Sequence, residues 1–425
     1  MPHTPQTAVT RLLQSVTDSR NIVPGDRIEV RPQLIVLGPR DGLAALKAFR
    51  LAGGEKLADA SRVVLFSDDN LPAADVAAAS RRKQLLEAAA QAGVTNIIPA
   101  AGCEVAHLID NALVVPGELA VSNLVEIHRL GGIGALGLRV TIRDLAQLLA
   151  GKALPLTVPE PVRVDLTGQR QASVAGRDVF FTLRREISRN RLVGKALEIG
   201  GEGLAGFSLH ERNQLCAQAA HAGLGSIICL PDRSGVAELN QRIVRPYTTV
   251  EPEKEATYAH RAALDLAHAQ LSVVPPGNVD GWQTVGEVSG EPVLHVIIGG
   301  EGSCGLEDMR LACEIIKLRR LNPRVRCDVI PNSREVYAQA LKADLVSQLI
   351  DAGAEVHPPG TDVAGLLAQQ PALVTGITAS EGCWRAGITV TATAACAGAI
   401  VHPERLDAQP QRDSKLSGRR AKPSG

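Results

Sequence analysis

The sequence predicts an α/β protein built from three-layer α/β/α units. Two observations predict this class: short runs rich in Val, Ile and Leu alternate with longer segments of helical periodicity, and the alternation continues along almost the whole chain. Such alternation is typical of parallel sheets covered by helices on both faces. With 425 residues, the chain is long enough for two or three domains of ordinary size.

Composition narrows the function classes. Apolar residues make up 45% of the chain and aromatic residues only 2%, so Ala, Val, Leu and Ile must fill the cores. Lys plus Arg and Asp plus Glu both total 45, and a balanced chain has no field for wrapping nucleic acid or lying on an anionic membrane. The absence of a membrane-length apolar run and of a secretory segment favours a cytoplasmic protein.

The first unit is predicted at residues 1–154. Its strands and helices alternate after an N-terminal helix and a turn. The predicted strands are RIEVRPQLIVLG, RVVLFS, TNIIPA and ALVVPGELAVS, and the predicted helices are TAVTRLLQSV, DGLAALKAFRLAG, AADVAAASRRKQLLEAAAQAG and TIRDLAQLLAGKA.

The alternation continues in a second unit at 155–245 and a third at 286–405. The second is predicted to hold VRVDLTG and SIICLPD as strands, and the third VLHVIIGG, RVRCDVIPN and ALVTGITAS. A segment rich in Pro and charge, 246–285, is predicted as an interdomain crossing. The polar, basic tail at 406–425 has no apolar period and is predicted to be disordered.

The eight cysteines are scattered, and no two of them form a CxxC pair. In a reducing compartment this distribution indicates buried small apolar side chains rather than a disulfide framework.

Several long segments, taken together and in order, resemble the large subunits of the aconitase and isopropylmalate dehydratase family. They are GKALEIGGEGLAGFSLHERNQLCAQAAHAGLGSIICLPD, the segment from ALVVPGELAVS to VRVDLTG, IIGGEGSCGLEDMRLACEIIK, DVIPNSREVYAQAL and AGAEVHPPG. The likeness runs from about Asn21 to His402. It implies α/β/α domains around a central cleft, hydro-lyase or isomerase chemistry on a small hydroxy-carboxylic acid, and a separate small swivel-domain subunit as a partner.

The resemblance also implies a [4Fe-4S] cluster held by three cysteines, and those cysteines are missing here. The first falls on Glu301, because the register of LEDMR places Cys304 three residues too late. The other two fall on Thr361 and Ala364. Since hydroxyl and methyl groups cannot replace thiolates, we expect no cluster.

Other active-site positions implied by the resemblance are exchanged as well. An Asp-His pair falls on Asp68 and Asp69, and the end of an Asp-Ser-His triplet falls on Glu126. A glutamate falls on His221 and a terminal motif lies near Arg385. We therefore take as catalytic candidates Asp68, Asp69, His221 and Arg385.

Carboxylates and an imidazole in one cleft also suit a divalent metal. The predicted ligands are Asp69, Glu126, His221 and Glu301. The alternative is that these are solvated polar residues that line a disused cleft.

Two turns are candidates for binding the carboxylate of a substrate, because each precedes a predicted helix N-terminus. The first contains Ser303, and the second contains Ser333 and Arg334. The alternative is that both serines serve only as helix N-caps.

Three functions stay open from the sequence. The first is a cluster-independent hydro-lyase or isomerase, and the second is a non-catalytic ligand-binding or scaffold paralogue that pairs with a small subunit. The third is an ordinary iron–sulfur dehydratase, which would need other cysteines, such as Cys103, Cys304 and Cys383, to come together.

Overall fold

The computed structural model describes residues 4–67, 73, 75–99, 102–278, 281–300, 302–367, 371–376 and 382–407, with the backbone alone at His221. Parallel sheets in these ranges are flanked by helices, which confirms the α/β prediction. Most of the tail predicted to be disordered lies outside the described residues. No helix in the described part of the chain is both long and apolar enough to span a membrane.

The first part of the chain forms a five-stranded parallel sheet with the order β4-β3-β2-β5-β6. An antiparallel pair, β1 and β7, lies beside it. The elements are α1 (Ala8–Gln14), β1 (Arg27–Val30), β2 (Leu34–Leu37), α2 (Gly42–Leu51), β3 (Val63–Phe66), α3 (Val76–Ala92), β4 (Asn96–Ile98), α4 (Glu104–Asp110), β5 (Leu119–Ser122), β6 (Leu136–Arg139), α5 (Ile142–Leu149) and β7 (Leu154–Thr157).

Local sequence explains these elements well. The strands β2 and β3 are continuous apolar runs, and β5 is apolar up to Ser122. All residues of the three strands are buried, as expected of parallel strands covered on both faces. Helix α5 begins with a capping box, in which the Thr141 hydroxyl accepts from the Asp144 backbone and the Asp144 carboxylate accepts from Thr141. Helix α3 ends at Gly93 in the left-handed conformation.

The second sheet has four parallel strands in the order β10-β9-β8-β11. Its elements are β8 (Pro161–Thr167), α6 (Gly176–Glu186), β9 (Ala196–Gly200), α7 (Leu209–Ala217), β10 (Ser226–Cys229), α8 (Arg233–Arg242) and β11 (His260–Asp265).

The third sheet has the order β13-β12-β18-β17-β14-β15-β16 and is parallel from β18 to β16. Its elements are β12 (Ser272–Val274), β13 (Gln283–Thr284), β14 (His295–Gly299), α9 (Leu306–Arg319), β15 (Arg326–Ile330), α10 (Arg334–Lys342), α11 (Leu345–Asp351), β16 (Glu355–Val356), α12 (Val363–Leu366), β17 (Ala372–Val374), β18 (Cys383–Ala386), α13 (Ile388–Ala397) and α14 (Pro403–Asp407).

The segment 246–285 is more structured than its Pro-rich composition indicates. It supplies β11 to the second sheet and both β12 and β13 to the third. The chain therefore passes between the two sheets within this segment while contributing a strand edge to each. The exact domain boundaries stay a prediction.

In both the first and the third sheet, successive strands are added on one side of a central strand and later strands on its other side. In the first, β3 and β4 add on one side of β2, and β5 then adds on the other. In the third, β15 and β16 add on one side of β14, and β17 adds on the other. Ligands of open α/β sheets bind outside the carboxyl ends of strands at such reversal points.

A 3₁₀ segment, Val125–Ile133, connects β5 to β6 of the first sheet and packs against the second sheet. Its glycines allow close approach: a Cβ on Gly131 would lie 2.2 Å from the Ile227 carbonyl oxygen, and one on Gly132 would lie 2.5 Å from the Asn213 backbone nitrogen. Because any side chain at these glycines would clash with backbone, the segment can pack directly onto β10 and α7. This packing fixes the start of the segment, which lines the cavity described below.

Candidate functional site

A cavity of about 520 Å³ lies where the carboxyl ends of strands from the first and third sheets meet. Every segment of its lining follows or ends a parallel strand. The lining comprises residues 39–41, 102–104, 123–126 and 139 from the first sheet, and 300, 302, 330–332 and 360–364 from the third. The cavity therefore occupies the position that the topology predicts for a ligand.

Helix N-termini surround this cavity because each helix starts just after the strand that lines it. Helix α2 starts after Asp41, the 3₁₀ segment starts after Leu124, and α10 starts after Asn332 and Ser333. The partial positive charge at helix N-termini favours an anionic group. Arg139, at the end of β6, also lines the cavity.

A buried carboxylate, Glu126, forms one wall of the cavity and is 9% exposed. Its Oε2 atom accepts from the Cys103 thiol, with Sγ at 3.2 Å, and from the Arg129 guanidinium, with Nε at 2.9 Å. Its Oε1 atom is buried and has no hydrogen-bond partner among the described residues. One oxygen of this carboxylate is thus held by two donors and the other by none.

The turn after β14 closes over Glu126 from the third sheet. Gly302 has φ 78°, and a Cβ placed on it would lie 2.2 Å from Glu126 Oε2 and 2.8 Å from both Arg129 Nε and Cys103 Sγ. A glycine is therefore required here for both backbone conformation and space. Only without a side chain at 302 can the turn approach the Glu126 carboxylate this closely.

Burial changes the proton affinity of the cluster. Desolvation raises the pKa of Glu126 above its ordinary value, and the opposing effects of Arg129 and Cys103 do not cancel this rise. Burial, together with the neighbouring Glu126 carboxylate, raises the pKa of the Cys103 thiol well above its ordinary value. The cluster therefore combines a protonated thiol with a carboxyl group that is more basic than usual.

Comparison with known proteins now places this fold in a family. The family model "Aconitase family (aconitate hydratase)" matches residues 57–288, more than half of the chain. The chain belongs to the aconitase family. The match includes the cavity-lining residues from Gly102 to Arg139 and all four strands of the second sheet.

Curated relatives of this aconitase-family chain are named large subunits. It is 29% identical to "3-isopropylmalate dehydratase large subunit 2" of Rubrobacter xylanophilus over 97% of this chain and 100% of that protein. It is 26% identical to the "3-isopropylmalate dehydratase large subunit" of Heliobacterium modesticaldum over 94% and 99% of the two chains. The chain thus spans nearly the full length of both relatives.

A solved structure shares the fold. It is described as "Thermococcus kodakaraensis aconitase X (holo-form)", and it matches with a TM-score of 0.50 over 95% of this chain and 96% of that one. With 10% sequence identity, this likeness supports the aconitase-type fold alone.

The donors around the cavity of this aconitase-family chain do not suit a [4Fe-4S] cluster. All eight cysteines are described, and of these Cys103 alone lines the cavity. Thr361 and Ala364, at the other positions expected to supply sulfur, line it with a hydroxyl and a methyl group. A cluster of this type needs three or four thiolates, and Cys304 and Cys383 are buried away from the cavity lining.

Most of the predicted catalytic and metal-ligating residues cannot be placed. Asp68, Asp69 and Glu301 lie outside the described residues, as does the side chain of His221. Of the predicted metal ligands, Glu126 alone has a described side chain, and it lines the cavity. The four-residue metal site stays a prediction.

The predicted substrate-binding residues lie apart from the cavity lining. Ser333 is fully buried and caps α10 by accepting from the Val336 backbone, as the capping alternative states. Arg334 is exposed, and neither residue lines the cavity. Their proposed contact with substrate stays a prediction that this geometry does not favour.

Ser303 does not act as the helix cap that the alternative interpretation predicts, and its contact with substrate stays a prediction. It does not cap α9, whose N-cap is Gly305, but donates to the Gly300 carbonyl oxygen at 2.6 Å and lies 3.2 Å from the Thr375 hydroxyl. Its role is to brace the turn after β14. Arg385 is buried on β18 near a second buried guanidinium, Arg177, and its catalytic role stays a prediction.

Sequence reasoning missed the partners of Glu126. The sequence indicates Cys103 only as an alternative cluster ligand, and no motif in it indicates Arg129. The (i, i+3) spacing of Glu126 and Arg129 in VEIHR was the one local signal of their ion pair. No local signal indicates that Cys103 would reach the same carboxylate.

A second cluster, on adjacent strands of the third sheet, has metal-ligand chemistry. Asp328, Glu355 and His357 place ligand atoms within 4.8 Å of one another. Arg326, however, already lies 2.9 Å from Asp328 and 3.0 Å from Glu355. With Arg326 as its cation, this cluster is best described as an ion network that joins the strands.

Proposed function

We propose that this chain is the large subunit of a hydro-lyase or isomerase that acts on a small hydroxy-carboxylic acid without a [4Fe-4S] cluster. The names of the relatives support the dehydratase class and a small subunit as partner. The observation that carries the proposal is Glu126, a buried carboxylate with a raised pKa that lines a cavity at the carboxyl ends of the strands. One of its oxygens has no hydrogen-bond partner in the described part of the chain.

Dehydration of such an acid needs a base that removes a proton from carbon. Ionised Glu126 would take this proton, the electron pair of the C–H bond would form the new double bond, and the C–O bond would break. The departing hydroxide must receive a proton, and the predicted donors are Asp68, Asp69 and His221. A carboxyl group with a raised pKa suits the first step because its basicity is closer to neutrality.

The cavity would hold the substrate through its carboxylate. The helix N-termini at α2 and at the 3₁₀ segment attract an anion, and Arg139 adds a full positive charge. In the alternative role of Glu126, the four predicted ligands Asp69, Glu126, His221 and Glu301 would hold a divalent metal that polarises the hydroxyl group, and another group would then act as the base.

The test uses the full chain, purified anaerobically with its small subunit, and a panel of small hydroxy-carboxylic acids. Ultraviolet absorbance follows formation of the unsaturated acid, and metal analysis is done on the same sample. We expect turnover of at least one acid by a sample that contains less than about one iron per chain, whereas a [4Fe-4S] cluster would contribute four. Glu126→Gln should lower kcat by about 100-fold or more, the usual contribution of a positioned base.

Glu314→Gln, which changes an exposed carboxylate on α9 far from the cavity lining, is the matched control. Turnover that survives in Glu126→Gln would remove Glu126 as the base. About four irons and four sulfides per chain would refute the cluster-independent mechanism.

A non-catalytic, ligand-binding paralogue is the second candidate. It is favoured by the hydroxyl of Thr361 and the methyl group of Ala364, which stand where the family resemblance places sulfur. Binding of a hydroxy-carboxylic acid without any turnover, detected as a rise in thermal midpoint, would favour this function over the first.

A further inference from the structure

We infer that His210 is a positioning residue: from helix α7 beside the second sheet it holds, through Asp308, the glycine-rich turn that forms part of the third-sheet wall of the cavity. This inference rests on the proposed function for its meaning in catalysis. Its structural content, an anchor on one turn, can be tested without a substrate.

The turn between β14 and α9 has a backbone conformation that needs support. Gly300 and Gly302 line the cavity and have φ values of 87° and 78°. Cys304 has φ 76° although it carries a side chain. A residue other than glycine keeps such a conformation only where its surroundings hold it in place. The turn therefore depends on contacts that fix residue 304.

Asp308, in the first turn of α9, supplies the first of these contacts. Its Oδ2 atom accepts from the backbone amides of Cys304 and Gly305, both at 3.1 Å. Asp308 is itself buried. Because a buried carboxylate is costly unless several donors compensate it, the further partners of Asp308 decide how firmly it holds the turn.

Those partners come from α7. His210 Nε2 lies 2.8 Å from Asp308 Oδ2, and Gln214 Nε2 donates to the same oxygen at 2.8 Å. His210 and Gln214 are four residues apart, so they lie on one face of the helix. Burial lowers the pKa of the His210 imidazole, but the Asp308 carboxylate outweighs this effect and the pKa is raised. The pairing thus favours a charged imidazolium that donates to the carboxylate.

The imidazole ring also lies directly against the turn. A Cβ placed on Gly305 would lie 2.4 Å from His210 Cε1 and 2.7 Å from its Nδ1. The hydroxyl of Ser208, the N-cap of α7, donates to Glu307 at 2.7 Å. Helix α7 therefore contacts the start of α9 at two places, through the His210 ring and through its own N-cap.

Helix α7 supports the opposite wall of the cavity as well. The 3₁₀ segment packs onto it at Gly132, where a Cβ would lie 2.5 Å from the Asn213 backbone nitrogen. The same segment starts at Val125, which lines the cavity from the first sheet. Helix α7 thus sets the spacing between the two walls, although none of its residues, all of which are described, lines the cavity.

A direct role of His210 in catalysis fits less well. His210 does not line the cavity, so its imidazole does not touch a ligand held there. Its Nε2 atom is engaged by Asp308, which in turn accepts from the turn. His210 therefore acts on the cavity through Asp308 and the turn rather than on a ligand.

The experiment is hydrogen exchange of the full chain, read by mass spectrometry with fragmentation that resolves the amides of residues 302–309. Wild type is compared with His210→Ala, His210→Gln and His402→Ala. Glutamine keeps an N–H donor in place of the imidazole N–H. His402 is a suitable control because it is also half-buried and lies 3.6 Å from a carboxylate, that of Glu404, without contacting the turn.

We expect the amides of Cys304 and Gly305 to exchange about 10- to 100-fold faster in His210→Ala, because a hydrogen bond to a charged group contributes about this factor to a local opening equilibrium. The rates should lie closer to wild type than to the alanine variant in His210→Gln, and they should equal wild type in His402→Ala. Unchanged rates in His210→Ala would overturn the inference.

Low concentrations of urea distinguish release of the turn from general destabilisation. Exchange through global unfolding depends strongly on urea, whereas exchange through local opening does not. The faster exchange in His210→Ala should be nearly independent of urea, and a strong dependence would show a merely structural role. If the alanine variant does not fold, Gln214→Ala removes the other donor from α7 and should accelerate the same two amides; no acceleration there would also overturn the inference.

The outcome separates this inference from the proposed function. If the two amides are released but no acid is turned over by the complex, the anchor stands and the proposed function fails. If turnover is found, kcat/KM should fall by about tenfold or more in His210→Ala, because a displaced wall misplaces the substrate, and His210→Gln should restore most of it. Released amides with an unchanged kcat/KM would overturn the positioning role.

Discussion

Replacing Gly302 by alanine should destabilise the protein strongly, for two independent reasons. The residue has φ 78°, where an L side chain costs about 1–2 kcal/mol. The new Cβ would also lie 2.2 Å from Glu126 Oε2 and 2.8 Å from Arg129 Nε. Overpacking of this kind typically costs about 1–3 kcal/mol. The expected loss in the free energy of unfolding is therefore about 2–5 kcal/mol.

Gly277→Ala measures the first contribution alone, so its difference from Gly302→Ala isolates the second. Gly277 has φ 70°, and nothing lies within 4 Å of a Cβ placed on it, so only the backbone cost applies. Urea denaturation followed by circular dichroism measures both variants at the same pH. If Gly302→Ala loses no more stability than Gly277→Ala, the close contact between the turn and the Glu126 cluster is wrong.

Three further predictions concern buried polar groups. Burial alone would raise the pKa of Asp328, but hydrogen bonds from its neighbours hold this pKa at about 2. The stability that the ionised carboxylate contributes should therefore be present above about pH 4 and lost as the pH falls towards 2. In a plot of the urea midpoint against pH, Asp328→Asn should flatten this part of the curve. Burial and, to a smaller extent, Arg139 lower the pKa of His128 to about 4. Between about pH 6.5 and 4 the unfolded state therefore binds a proton that the folded state does not, and stability should fall as the pH is lowered through this range. The same urea measurement on His128→Gln should lack this fall, and a profile identical to that of wild type would contradict the prediction. The Tyr258 hydroxyl donates to the fully buried Glu198 carboxylate at 2.7 Å. Tyr258→Phe should therefore lower the free energy of unfolding by about 1–3 kcal/mol, measured by urea denaturation. A loss below about 0.5 kcal/mol would mean that another donor replaces the hydroxyl.

The thiol–carboxylate pair and the ion network show why part of each site was invisible in the sequence. Cys103 and Glu126 come from loops after β4 and β5, and the Gly302 turn that covers them comes from another sheet. Asp328 meets His295 and His357 across neighbouring strands. Neither set has a fixed spacing along the chain, since strand register and the packing of the sheets bring its members together.

The sequence by itself determined the α/β class, the order of most strands and helices, the family resemblance, and the exchange of cluster cysteines for Thr361 and Ala364. It could do so because these features depend on local periodicity and on residue identity at aligned positions. Only the tertiary structure decided that 246–285 adds strands to two sheets, that Glu126 contacts Cys103 and Arg129, and that Ser303 bonds within the turn after β14. These depend on which loops meet at the carboxyl ends of the strands, and that is fixed by long-range packing between sheets.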